Sequence, residues 1–145
     1  MTYEQRFADL LENYAARLRE EERRRKPGDG LLGFGKKLSD APCHAEYDRA
    51  VEALAGELAA QGDAPKETAA LVWAIFRADE RCDWPVCAEW MLLAAHRHAA
   101  LLVPCLDRED ARALHAWYAR RFPPLQRMPA QKALLKALVR RAEGK

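Results

Sequence analysis

The sequence lacks an uninterrupted apolar run long enough to cross a lipid bilayer. Its most apolar stretch, residues 86–103, is broken by four polar side chains that a spanning helix would have to desolvate: Glu89, His96, Arg97 and His98. The N-terminus also lacks the positive start and following apolar segment of a secretory signal. We therefore expect no membrane partner and a cytoplasmic location, where the four cysteines would stay reduced.

The sequence also lacks the apolar–polar alternation of strands, and glycine is scarce outside one segment. Apolar residues instead recur at steps of three and four, which is typical of helices that bury one face. Four of the seven glycines lie within residues 28–37. The pattern predicts an all-α fold, an irregular bundle of about six helices in a single domain over residues 1–145. Residues 28–38 are predicted to be a flexible Gly-rich connector between helix 1 and the rest.

Capping residues and prolines predict where the helices begin and end. Asp63 is predicted to cap the third helix and Asp107 the fifth, and Pro104 is predicted to end a central fourth helix. The predicted helices run from Tyr3 into the charged segment 20–26, from about Pro42 to Gly62, from Asp63 through Phe76, over 85–103, from Asp107 through Phe122, and over 129–142. In the last helix the predicted core residues are Leu134, Leu135, Leu138 and Val139.

Charge is unevenly distributed along a chain whose net charge is only +2. Residues 1–39 carry a formal charge of +2, residues 40–111 carry −8 and residues 112–145 carry +8. Such asymmetry is typical of a surface that meets a charged partner.

No complete nucleotide or metal motif is present. Gly30–Lys37 has the glycine spacing of a phosphate-binding loop, but Lys37 stands where Ser or Thr would hold magnesium. Cys82 and Cys87 are too far apart in sequence for the usual C-x2-C zinc pair. The Glu-x-x-His pairs of di-iron bundles are absent from the sequence. We therefore expect no cofactor and no metal.

Arg108 and His115 form an Arg-x6-His pair, which resembles the active-site pattern of HEPN-type ribonucleases. The resemblance implies an arginine that stabilises phosphate charge and a histidine that moves a proton. The match covers two residues, and a chain with 17 arginines and four histidines is expected to contain about one such pair by chance. A ribonuclease using these residues is therefore the second alternative.

The charge asymmetry and the tryptophans near residues 82–90 favour a non-catalytic helical interaction module, whose partner is another protein or a second copy of the chain. Nucleic-acid binding through the basic C-terminal third is the first alternative. Two tryptophans, as apolar anchors, and six cations, as steering charges, are the candidate interaction residues: Trp84, Trp90, Arg120, Arg121, Lys132, Lys136, Arg140 and Arg141.

Overall fold

A computed structural model describes residues 1–24, 42–80 and 89–144. Within these ranges the chain forms six α-helices and no β-strand, which confirms the predicted all-α bundle. The helices are α1 (Tyr3–Arg24), α2 (Pro42–Gln61), α3 (Pro65–Phe76), α4 (Glu89–Ala99), α5 (Arg108–Arg121) and α6 (Pro129–Ala142). Three short 3₁₀ helices within the same described ranges cover Ala78–Glu80, Ala100–Cys105 and Pro124–Gln126. The predicted connector 28–38 and Trp84 lie outside the described residues.

The first helix packs through the apolar face that its sequence predicts. Phe7, Leu11 and Leu18 are fully buried, and α1 contacts both α2 and α3. Arg6 and Arg17 hold its flank to α2 through Glu57 and Glu46, at N···O distances of 2.9 and 2.6 Å. Helix α1 therefore covers one side of the core.

Helix α4 occupies the predicted central position, since it contacts α2, α3 and α6 and buries Met91 and Ala95. The prediction that one helix continues to residue 103 is wrong, because the chain changes from α to 3₁₀ geometry at Ala100. Pro104 lies inside this 3₁₀ helix rather than ending the α-helix. In an α-helix its ring would clash with the carbonyl four residues earlier, so the chain tightens before it reaches the proline.

The start of α3 also differs from the prediction. Ala64 is the N-cap residue, it makes no side-chain capping bond, and Pro65 opens the helix. Asp63 lies one residue too early to cap. The start is therefore set by proline, whose fixed φ suits the first helical turn.

Helices α5 and α6 pack against each other as an antiparallel pair. Asp107 caps α5 as predicted, because its Oδ1 accepts a hydrogen bond from the Asp110 backbone N–H at 2.8 Å. At the turn, Arg127 donates to the carbonyls of Phe122 and Ala119, which satisfies the end of α5.

The α6 core face follows most of the predicted pattern. Leu134, Leu135 and Leu138 are buried, but Val139 is 37% exposed, so its predicted core position is wrong. The buried stripe begins at Gln131, three residues before Leu134, and Val139 falls at its edge. Among the helices of the described ranges, none is both long and apolar enough to span a bilayer.

Candidate functional site

A groove of about 360 Å³ lies between α6 and the 3₁₀ helix Ala100–Cys105. Its apolar lining comes from Val103, Pro104 and small residues, and its charged lining from the last two turns of α6. The full lining is Ala100, Val103, Pro104, Ala133, Lys136, Ala137, Arg140 and Arg141. Among the residues that the structure describes, no acidic side chain contributes to it. The groove therefore combines an apolar floor with charged side chains that are all positive.

The three cations of this groove are held differently. Arg141 is fixed, because its Nε donates to the Leu106 carbonyl at 2.6 Å. Lys136 and Arg140 are exposed one helical turn apart, and neither forms an ion pair with any residue in the described part of the chain. Their charges are therefore open to an incoming group.

The remaining predicted interaction residues do not join this groove. Lys132 lies one turn before Lys136 on the exposed side of α6, and Arg120 is exposed on α5. Arg121 instead forms an ion pair with Asp79 of the acidic middle segment, and its Nη2 lies 2.7 Å from Asp79 Oδ2. The backbone of Trp90 belongs to α4, and its side chain lies outside what the structure describes.

Much of the acidic middle segment is neutralised within the chain. Of the eleven acidic residues that the structure describes in this segment, seven form ion pairs: Glu46, Asp48, Glu57, Asp79, Glu80, Asp107 and Asp110. Lys66, for example, lies 3.0 Å from Asp107 and 3.1 Å from Asp110, which joins α3 to α5. Part of the negative charge of residues 40–111 is therefore used in ion pairs within the fold.

Arg108 and His115 lie two turns apart on α5, Arg108 exposed and His115 half-buried. The Arg108 guanidinium packs against the backbone of Gly144 at the end of the chain. Neither side chain forms a hydrogen bond with the described residues, and neither lines this groove or the second cavity described next. This arrangement therefore adds no support for a ribonuclease site at Arg108 and His115.

A second cavity, of about 610 Å³, lies where α4 and the ends of α3, α5 and α6 meet. Its lining is largely aromatic and aliphatic, with a few polar groups between. The residues are Phe76, Asp79, Leu92, Leu93, His96, Arg121, Phe122, Gln126, Met128 and Gln131. Pockets of this size and character are typical of small-molecule sites.

His96, on the wall of this cavity, is paired with the buried Tyr118 behind the wall. His96 Nδ1 lies 3.0 Å from the hydroxyl of Tyr118, and both rings pack against Phe76 and Phe122. Burial lowers the pKa of His96 to about 4, so the ring is neutral at physiological pH. Burial also raises the pKa of Tyr118 to about 12, so its hydroxyl stays protonated.

Sequence reasoning missed this cavity. In the sequence, His96 interrupts an apolar stretch and Arg121 is one of the candidate interaction residues, and neither predicts a shared cavity. The lining residues come from four helices and two connecting turns, so no local spacing brings them together. The usable signal in the sequence is His96 within the apolar stretch 86–103, and a histidine in a core helix is too common to point to a site.

A possible metal-ligand set lies on the α2–α4 contact. Asp48, Glu52 and His98 place one ligand atom each within 4.8 Å of the others. The same Asp48 oxygen, however, lies 2.7 Å from Arg97 and 2.8 Å from His98, so its charge already has partners. The expectation of no metal stays a prediction.

Comparison with known proteins gives no family for the chain, since no family model, no curated protein and no solved structure matches it.

Proposed function

We propose that the protein is a non-catalytic interaction module whose α6 groove binds an acidic, amphipathic segment of a protein partner. The observation that carries this proposal is the groove itself. It combines an apolar floor with Lys136, Arg140 and Arg141, and none of its lining residues is acidic.

The two parts of the groove have different roles in binding. Burial of apolar surface on Pro104, Ala133 and Ala137, which are exposed or half-buried, supplies most of the affinity. Exposed cations chiefly steer and orient the partner. Residues four apart on a helix have Cβ atoms about 5–6 Å apart, so Lys136 and Arg140 match two carboxylates spaced by one turn on a partner helix. The best-fitting partner is therefore a helix with apolar residues beside an acidic stripe.

The internal ion pairs favour a separate partner over a second copy. A second copy would have to present free carboxylates to the groove. Of the eleven acidic residues that the structure describes in segment 40–111, seven are already paired within their own chain. A second copy could therefore offer only a minority of these carboxylates without breaking ion pairs, whereas a separate acidic helix breaks none.

The test uses three labelled helical peptides with the same apolar residues and with Glu, Gln or Lys at the polar positions. Their binding to the full chain is followed by fluorescence anisotropy at low and high salt. We expect the Glu peptide to bind best and to weaken with salt, because exposed charges are screened beyond about 8 Å at physiological ionic strength. Sedimentation of the free protein measures self-association in the same buffers.

Two charge-matched variants locate the binding. Lys136→Glu plus Arg140→Glu should weaken the Glu peptide at least about fivefold, which corresponds to about 1 kcal/mol. Arg112→Glu plus Arg120→Glu makes the same change of net charge on α5 and should leave binding unchanged. An equal effect of both variants would contradict the proposal. So would preference for the Lys peptide, a salt-sensitive dimer lost in the α6 variant, or RNA binding that outcompetes the Glu peptide.

A further inference from the structure

The cavity between the ends of α3, α5 and α6 is distinct from the α6 groove. Helix α6 contributes Gln131 and the preceding Met128 to the cavity, and Lys136 and Arg140 to the groove. The cavity is walled by Phe76 and His96, which are almost fully buried, and its lining also includes Met128, which is 55% exposed. It is therefore a recess in the core with an open rim.

The charges that the described residues bring to this cavity cancel. Asp79 and Arg121 carry opposite charges and are paired at 2.7 Å, while the Arg121 guanidinium also lies 5.0 Å from the centre of the Phe122 ring. Two contacts therefore hold Arg121 in place. A charged ligand would enter an apolar recess with no net opposite charge to receive it, so the lining favours a neutral ligand.

The Asp79 carboxylate has unused capacity to accept hydrogen bonds. An ionised carboxylate offers about four acceptor positions on two oxygens. Arg121 occupies one position on Oδ2, and Oδ1 is buried with no hydrogen-bond partner in the described part of the chain. The side chain is 25% exposed on the cavity wall. Because Oδ1 itself is closed to solvent, a ligand donor would reach the carboxylate through Oδ2, which has a second acceptor position besides the one that Arg121 uses.

We propose that this cavity binds a neutral, largely apolar ring compound whose single N–H or O–H group donates a hydrogen bond to the Asp79 carboxylate. Phe76, Phe122 and the two leucines of α4 contact the ring faces and edges. Asp79 selects for the donor. This ligand site does not depend on the proposed peptide groove, and either can fail without the other.

The probe is indole, and its matched control is N-methylindole, which has the same rings but no N–H. Titrations of the full chain are followed by amide NMR spectroscopy. We expect both to shift amides of the α4 residues Leu92 and Leu93, with indole binding about tenfold more tightly, which corresponds to about 1.4 kcal/mol. Equal affinities, shifts confined to other parts of the chain, or no binding would overturn the proposal.

Variants of the wall separate the hydrogen bond from the cavity. Asp79→Ala should abolish the preference for indole, while Glu80→Ala, which removes the adjacent carboxylate that does not line this cavity, should preserve it. Leu93→Trp should fill the recess and weaken both compounds alike. An Asp79→Ala protein that keeps the indole preference would refute the role of the carboxylate. The comparison of the two compounds on the wild-type protein remains decisive if a variant fails to fold.

Discussion

His96 links the aromatic core to the pH dependence of stability. Its ring is buried against Phe76, Tyr118 and Phe122, and this burial lowers its pKa from 6.5 to about 4. The nearby charges act in opposite directions, since Asp79 raises the pKa of His96 and Arg121 lowers it. Burial is the largest of the causes, so the neutral ring is the form that the fold requires.

The sign of the effect follows from proton uptake. Below pH 6.5 the unfolded chain binds a proton at His96, and the folded chain does not until about pH 4. The contribution of neutral His96 to the free energy of unfolding is therefore fully present above about pH 7, and it is lost as the pH falls towards 4. The two pKa values differ by about 2.5, and each unit corresponds to about 1.4 kcal/mol, so the loss amounts to about 3 kcal/mol.

The assay is urea unfolding followed by circular dichroism between about pH 7 and pH 4.5, on the wild type and on His96→Asn. The variant keeps a neutral amide near Tyr118 but cannot titrate in this range. Both proteins lose stability in acid through their paired carboxylates, and that shared part cancels in the difference. We expect the wild type to lose about 2–3 kcal/mol more than the variant. Parallel pH dependences would refute the assignment of His96 as a buried neutral group.

Four further predictions concern the core and the metal content. Leu138→Ala should cost about 2–5 kcal/mol in urea unfolding at neutral pH, because Leu138 is fully buried. Val139→Ala should cost less than about 1 kcal/mol, because Val139 faces solvent. Tyr118→Phe should cost about 1–2 kcal/mol by the same assay, because a buried hydrogen-bonding group loses its partner. Elemental analysis of protein purified without chelator should find well under one metal ion per chain.

The opposite result in each experiment would contradict the prediction. Similar costs for Leu138→Ala and Val139→Ala would mean that the orientation of α6 is wrong. A stable Tyr118→Phe protein would mean that the hydroxyl contributes nothing. A stoichiometric metal that is lost in His98→Ala would place a metal at Asp48, Glu52 and His98.

Much of the fold could be predicted from the sequence because its signals are local. Asp107 caps α5 through its own backbone neighbourhood, and Pro129 opens α6 at the predicted residue. Local signals predicted the wrong helix boundary where two of them competed. Pro65 set the start of α3 in place of Asp63, and Pro104 imposed 3₁₀ geometry on a segment whose apolar pattern resembled a continuing α-helix.

The sites were harder to predict because they depend on tertiary contacts. The cations of α6 were identified, but their apolar floor comes from Val103 and Pro104, about thirty residues earlier in the chain. Arg121 was counted with those cations, yet it pairs with Asp79 across the bundle. Side-chain spacing within one helix contains no information about such partners.

The central claim, that the α6 groove binds an acidic helix, is tested most directly by mapping where the Glu peptide binds. Amide NMR spectra of the full chain are recorded as the peptide is added, with the Gln peptide as the control. We expect the shifts to be concentrated in α6 from Ala133 to Arg141 and in the 3₁₀ helix Ala100–Cys105. The shifts should be much larger with the Glu peptide than with the Gln peptide. Shifts centred on α1 or α5, or equal shifts with both peptides, would contradict it.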